Sequence, residues 1–355
     1  MNAAELLEFL VAIPSVSGGE TELADQLGAH LGAEGFAVQR AGDNLWFSLG
    51  SEERPHLVFL SHLDTVPPSA GWESDPHQPL LAEGKLTGLG ANDAKGCVAA
   101  MILAASALRT APWEGRVTFA FVAQEETGGE GIRTIRPQLE PIDAAIVGEP
   151  TSLEICTAQR GLLILRCTAR GEAAHVAHAH LGENAIHKAA RDIGRLATME
   201  FEPHTGLGRT RPQVTQIAGG RARNQVPDEC EFFVDLRTTP NLDHAEIARA
   251  IETALESKVQ VHSTRYAAVA TDAHEPIVRA ALTAAGKDAG VGSATTSDWA
   301  FLQGIPAVKA GPGDTERSHR PNEYLWLSEL EAGNRFYQEA ARYYLALMAQ
   351  EATHA

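Results

Sequence analysis

The sequence predicts an α/β protein: a sheet-centred domain that carries the chemistry, interrupted by a second domain of α+β texture. Three observations lead there. First, His56–Leu60, Val117–Ala123 and Ala144–Val147 are short, unbroken apolar runs, as expected of strands buried on both faces. Second, each run leads into histidine or carboxylate, at Ser61-His62-Leu63-Asp64, Glu125-Glu126 and Gly148-Glu149. Open α/β sheets gather reactive side chains at such strand ends, so the three can converge on one crevice. Third, the texture changes near Leu162 and changes back after His274.

The chain opens with a short helical pattern and the turn-rich Pro14-Ser15-Val16-Ser17-Gly18-Gly19. A second helix follows, with an apolar stripe through Leu23, Leu27 and Leu31 and with Ser17 or a neighbour as its cap. Strands are expected at Phe36–Gln39 and Asn44–Ser48. Ala94–Leu108 is rich in Ala, Leu, Ile and Met and nearly uncharged, which predicts a helix buried against the sheet. Beyond Leu162 come a strand to Ala169, a histidine-rich stretch from Ala173 to His180, and a helix from Asn184 to Ala197. Strands at Gln213–Ile217 and Glu229–Arg237, a capped helix at Leu242–Leu255 and a strand at Val259–Thr264 complete this part. A helix through Leu282, the segment Thr295–Gly313 and a helix from Ser328 to Met348 then restore the first pattern. The catalytic domain is therefore expected at 1–161 and 274–355, with 162–273 inserted into it.

The 355 residues suit two domains, and 44% hydrophobic with 21% charged residues excludes a disordered chain. Lysine and arginine number 29 against 46 acids, and the net charge of −17 works against nucleic acid and anionic lipid as partners. Four scattered cysteines exclude a disulfide framework or a CxxC zinc knot and read as small buried hydrophobes in a reducing compartment. The first twenty residues lack the basic start of a signal peptide and no run approaches 18 apolar residues, so a cytoplasmic location is expected.

His62 and Asp64, two apart at a strand end, read either as a polar turn or as a metal ligand with a carboxylate that orients it. Asp93 is either a helix cap or a carboxylate whose apolar surroundings demand a metal or strong donor. Glu125-Glu126 is a solvated strand end, the acidic approach to a helix near Glu130, or a base beside a ligand, the adjacent side chains diverging. Glu149 and His319 add a distant oxygen and nitrogen. An oxygen-rich set with two imidazoles suits zinc, cobalt or manganese better than iron–sulfur or copper. HExxH, GxSxG, a P-loop and a strand-borne GxGxxG are all absent from the sequence. The residues point to a metal-dependent hydrolase.

SHLDTVP at 61–67, GLGANDAKG at 88–96, AQEETGGEG at 123–131, GEP at 148–150, the stretch 171–186, NQVPDECEFFVDLR at 224–237, TSDWAF at 296–301 and GPGDTERSHRPNEYL at 311–325 occur in one order. In that order they resemble the M20 zinc aminoacylase and exopeptidase family. It includes acetylornithine deacetylase, succinyl-diaminopimelate desuccinylase, aminoacylase 1 and glutamate-releasing carboxypeptidases. The resemblance implies a zinc-exopeptidase-like catalytic domain with a central mixed sheet and an inserted α+β dimerisation (lid) domain. It also implies two zinc ions per chain, with cobalt as a substitute: His62 and Glu149 on one, Glu126 and His319 on the other, and Asp93 bridging them. A cis peptide is implied at Asp93–Ala94.

The same resemblance makes Glu125 the general base, Asp64 the acid that orients His62, and His175 the group that reaches the opposite subunit's active site in a homodimer. Asn224 and Arg237 become contacts for the substrate's polar groups and free carboxylate; their plainer readings are a turn asparagine and an edge-strand arginine. The implied reaction is hydrolysis of a small N-acylated amino acid. N-acetylornithine deacetylation is the first expectation. Release of lysine or ornithine from a small acidic carrier protein, desuccinylation of succinyl-diaminopimelate, and a non-catalytic binding role are the alternatives. Retention of all five ligand positions and both auxiliary acids weighs against the last.

Overall fold

The computed structural model describes residues 1–50, 54–110 and 114–354. The chain forms two compact units, one of Met1–Thr157, Thr271–Val291 and Ser297–Ala355, the other of Ala158–Ala270 with Gly292–Thr296. In chain order the first unit has α1 (Ala3–Ala12), α2 (Thr21–Ala33), β1 (Gln39–Ala41), β2 (Asn44–Gly50), β3 (His56–His62), β4 (Leu80–Ala82) and β5 (Lys85–Thr87). It continues with α3 (Lys95–Leu108), β6 (Arg116–Val122), α4 (Glu130–Leu139), β7 (Ala144–Val147) and β8 (Cys156–Gln159), on which the chain passes into the second unit. There follow β9 (Gly161–Arg170), β10 (Ala174–His175), α5 (Ala185–Thr198), β11 (Pro212–Gly219), β12 (Gln225–Val226), β13 (Glu229–Thr238), α6 (His244–Ala254), β14 (Lys258–Tyr266) and β15 (Val269–Ala270). The last stretch holds α7 (Pro276–Ala285), β16 (Val291–Ser293), β17 (Ala307–Lys309), β18 (Tyr324–Trp326) and α8 (Leu327–His354).

The first unit's sheet runs in the order β1-β2-β6-β3-β7-β17-β8. Its centre, β6-β3-β7-β17, is parallel; β2 and β8 join antiparallel, so the sheet is mixed. Every residue of β3 and β7 is buried, which is why their sequences carry no alternation. Phe47, Phe119 and Phe59 stack across β2, β6 and β3 with ring centroids 5.5 and 5.1 Å apart. The weakly amphipathic α3 is buried almost throughout and packs against α1 and α8, while α8 also packs on α7. Such a helix needs cover on several sides, hence its Ala-rich composition. The three-stranded β18-β5-β4 sheet has no counterpart in the sequence-based expectation; its strands are three residues each and Leu80 and Leu81 are exposed, too little for a periodic signal.

The second unit is built differently. Its antiparallel sheet β11-β13-β9-β14 alternates buried and open positions along β9 and β13. One face, carrying Leu163, Leu165, Cys167, Phe232 and Val234, is closed by α5 and α6. Asn184 caps α5 and Asp243 caps α6 through side-chain oxygens. Ser17 does not cap α2, whose N-cap Glu20 makes no side-chain cap bond; its hydroxyl is used elsewhere. All four cysteines are buried and free. Where the chain re-enters the first unit, Thr271 N–H donates to Thr157 C=O at 2.9 Å. Among the described residues no helix is long and apolar enough to cross a membrane.

Candidate metal centre

His62 is the last residue of β3 and is 2% exposed. Its Nδ1 meets the backbone carbonyl of Asp64 at 2.9 Å, and a carbonyl can only accept, so Nδ1 carries the proton and Nε2 keeps a lone pair. Nε2 lies 3.4 Å from Asp93 Oδ1. Because β3 stops at His62, the turn after it, not strand alternation, sets Asp64 beside the ring, with Oδ1 3.5 Å from Nδ1.

Asp64 does more than orient His62. Its carboxylate, fully buried, accepts the Ser17 hydroxyl at 2.7 Å and the backbone N–H groups of Glu125 and Glu126 at 3.0 and 3.1 Å. Burial pushes this carboxyl upward, but His62, Ser17 and the Glu125 N–H outweigh it and hold it below the usual range. The turn it grips follows β6. Gln124 there has φ of 60° and donates its N–H to buried Glu20 at 3.0 Å, and Gly129 starts α4 at φ 67°. A Cβ on Gly129 would strike the ring of Phe301, so only glycine fits. In this left-handed turn Glu125 and Glu126 do not diverge as neighbours on a strand would: one ligand atom of each lies within 4.8 Å of the other and of His62.

Asp93 is not a helix cap. The N-cap of α3 is Ala94, without a side-chain bond, and the Asp93–Ala94 peptide is cis. The two Asp93 oxygens address different histidines, Oδ1 towards His62 and Oδ2 3.7 Å from His319 Nε2. His319, at φ 61° and half-exposed, places Nε2 2.9 Å from Glu126 Oε1. Ligand atoms of His62, Asp93 and Glu149 lie within 4.8 Å of one another, as do those of Asp93, Glu126 and His319. Two triads thus share Asp93.

The charges fit cations. Burial, then the charge of Asp93, pushes Glu149 up to about 8, and burial with Glu149 pushes Glu125 well up. His319 is raised to about 9, chiefly by its bond to Glu126. Carboxylates forced together in this way, with two imidazoles between them, are the donor set that divalent zinc, cobalt or manganese takes.

Several contributors escaped sequence reasoning. Asp298, in the short helical turn Asp298–Phe301, is pushed up to about 7 by burial and has no hydrogen-bond partner for either oxygen among the described residues. Glu323 accepts the N–H groups of Asn92 and Asp93, both at 2.9 Å. The available signals were an acid inside the apolar stretch around Trp299, and a second acid four residues past His319.

His175, Asn224 and Arg237 belong to the second unit. His175 and Asn224 come together there: Val176 N–H donates to Asn224 C=O at 2.9 Å, and both residues line a shallow cavity of about 410 Å³ with Ala173, Ala174 and Gln225. His175 Nδ1 accepts the Ala177 N–H at 3.1 Å. Arg237 is not near them in register. It sits on β13, between β11 and β9 and so not on an edge, and its half-exposed guanidinium donates to Asp235 at 3.0 Å.

A parallel-centred α/β sheet with His62 and carboxylates at or just past its strand ends, joined by His319 from a loop, fits a metal-dependent hydrolase. Residues 58–343 match Peptidase family M20/M25/M40, and the chain belongs to that family. It is 30% identical over 364 residues to a succinyl-diaminopimelate desuccinylase of Xanthomonas campestris pv. campestris, covering 93% of this chain and 95% of that one. It is 31% identical over 374 residues to the enzyme of the same name from Halorhodospira halophila, at 96% and 98% coverage. The fold is that of an M20 family metallo-carboxypeptidase from Sulfolobus solfataricus, with a TM-score of 0.79, 18% identity, and 98% and 100% of the two chains covered.

Proposed function

We propose that this family member is a two-metal amide hydrolase that releases an amino acid from an N-acyl amino acid, and that its substrate is of the N-succinyl-diaminopimelate type. The observation that carries the reaction is the pair of ligand triads sharing Asp93. The substrate reading is supported by relatives of that name matching nearly the whole chain. It therefore ranks ahead of the N-acetylornithine expected from the sequence, and of release from a carrier protein.

His62, Asp93 and Glu149 would hold one ion and Asp93, Glu126 and His319 the other. Bound there, a zinc, cobalt or manganese pair supplies a polarised amide carbonyl and a water acidic enough to ionise near neutral pH. Glu125 takes the proton from the attacking water as the new C–O bond forms and returns it to the nitrogen as the C–N bond breaks. Asp64 holds the Glu125–Glu126 turn and the His62 tautomer through both steps. His175, with Nδ1 already accepting the Ala177 N–H, carries its proton on Nε2 and offers it to the developing oxyanion. Asn224 holds substrate polar groups, and Arg237 exchanges Asp235 for the substrate carboxylate.

The test is a metal-supplemented panel of N-succinyl-diaminopimelate, N-acetylornithine, N-acetyllysine, a carrier-linked lysine and the carboxamide analogue of the best substrate. The succinyl compound should lead in kcat/KM by at least about tenfold, and its carboxamide should lose roughly 30–150-fold. A lead for another acyl group overturns the substrate reading alone. Absence of hydrolysis together with absence of metal binding overturns the reaction. In the homodimer this reading implies, mixing Glu125→Gln with His175→Ala subunits restores part of the activity.

A further inference from the structure

Glu323 lies four residues past His319 and is 3% exposed. The antiparallel β5–β18 ladder ends at the pair Thr87–Tyr324, and one further backbone bond, Gly88 N–H to Glu323 C=O at 2.9 Å, carries it on. From that point the Glu323 side chain takes over. Its Oε1 accepts the adjacent N–H groups of Asn92 and Asp93, and the Gly90 N–H also faces the carboxylate. The link is reciprocal. Asn92 Oδ1 accepts the Asp314 N–H at 2.8 Å, while its Nδ2 donates to Asp314 C=O at 3.0 Å and to Ser318 Oγ at 3.2 Å. The loop that carries Asp93 and the loop that carries His319 are therefore stapled from both sides.

The two triads depend on this staple unequally. His62 ends a fully buried strand and is held by Asp64, and Glu149 follows the buried β7. His319 is half-exposed, in a left-handed loop conformation, with no strand or helix of its own to place it.

We propose that Glu323 is a positioning residue for the metal centre: by anchoring the Asn92–Asp93 backbone to the His319 loop, it fixes the geometry of the Asp93, Glu126 and His319 triad and hence the occupancy of that position. The proposal rests on the two-metal reading above. Partners that orient ligands in this manner are worth about 10- to 100-fold in metal affinity.

The test is cobalt titration of the full-length, metal-stripped chain, followed by calorimetry and by visible absorption of the bound ion, for the parent, Glu323→Gln and Glu323→Leu. The parent should take two equivalents. Glu323→Gln, which keeps a carbonyl oxygen in place for the two N–H groups, should keep both affinities within about threefold. Glu323→Leu should keep the first and lose about 10- to 100-fold in the second, with an altered absorption band. Parent-like second-site affinity in Glu323→Leu overturns the proposal, and so does an equal loss in Glu323→Gln, because the carbonyl acceptor would then not be what matters. If Glu323→Leu does not fold, Asn92→Ala decides: selective weakening of the second equivalent supports the staple and no weakening overturns it. A parent chain that takes only one equivalent defeats the two-metal reading itself, a result distinct from all of these.

Discussion

Asp192 of the second unit and four buried acids of the first respond to burial in opposite ways, while Asp64 of the first unit sides with Asp192. In the second, Asp192 of α5 is fully enclosed, yet it accepts the N–H groups of Glu256 and Ser257, the Ser257 hydroxyl and the Arg195 guanidinium at 2.6–3.1 Å. Burial raises its proton affinity, but those bonds more than compensate and the carboxyl is held below its usual range. In the first unit Glu125, Glu149, Asp298 and Glu323 are all pushed up, by burial first. Glu323 is pushed to about 8 even with its backbone donors, by burial first and then by the charge of Asp93 beside it. Burial alone therefore does not fix the direction of the shift; the balance of donors against neighbouring charge does. Asp192 ties α5 to the turn ahead of β14, whereas Glu149 and Asp298 are buried among other acids that make them costly to ionise.

The sharpest way to break this contrast is Glu125→Gln, which should lower turnover by roughly 10²–10⁴-fold with metal content unchanged, while Glu126→Gln should lose metal. Elemental analysis beside kinetics checks it, and equal metal loss in both variants would erase the distinction between base and ligand. Next in size is Asp192→Ala, which strands buried N–H groups and should reduce unfolding free energy by about 3 kcal/mol in denaturant titrations, leaving metal content untouched.

A pH experiment sharpens the comparison further. His56, at the opposite end of β3 from His62, is lowered to about 4 by burial, against the pull of its bond to Pro141 C=O. Between pH 6.5 and 4 the unfolded chain takes up a proton that the folded chain refuses, so stability is complete above 6.5 and falls as pH drops through this window. The loss should be on the order of 2 kcal/mol once solvent screening is allowed for, and His56→Gln should flatten the dependence of the thermal midpoint on pH. The smallest effect is a gain: Glu149→Gln replaces a carboxyl that burial and Asp93 make costly to ionise with a neutral amide and should stabilise the metal-stripped chain by about 1 kcal/mol while weakening metal binding. A destabilised Glu149→Gln would place that acid with Asp192 among the structural ones.

The candidate ligands His62, Glu126 and Glu149 were legible because His62 ends, and Glu126 and Glu149 come after, strands whose apolar runs are visible in the sequence. Asp93 and His319 stand at the end of no such run: the residues alone offered Asp93 as a cap or a metal carboxylate and His319 as a distant nitrogen, and their places in a shared pair of sites came through motif resemblance. Ser17, Glu20, Asn92 and Glu323 were not legible, because what defines them is a bond to a group 47 to 231 residues away. Period and propensity report on neighbours along an element and are blind to such pairings. The turn after β6 misled for a related reason. Alternation predicts divergence of Glu125 and Glu126, and only the left-handed Gln124 and the grip of Asp64 bring them to one point.

The bond from Thr271 to Thr157 has a bearing on ancestry and on engineering. The chain returns to the first unit beside the place where it left, so a short turn could rejoin the two ends at little entropic cost. Cutting there would remove His175, Asn224 and Arg237 in a single excision and leave His62, Asp64, Asp93, Glu125, Glu126, Glu149 and His319 on one continuous scaffold. On this layout the residues proposed to read the substrate travel as a cassette. Exchange at that seam would swap the residues proposed to contact the substrate and leave those proposed to hold metal unchanged.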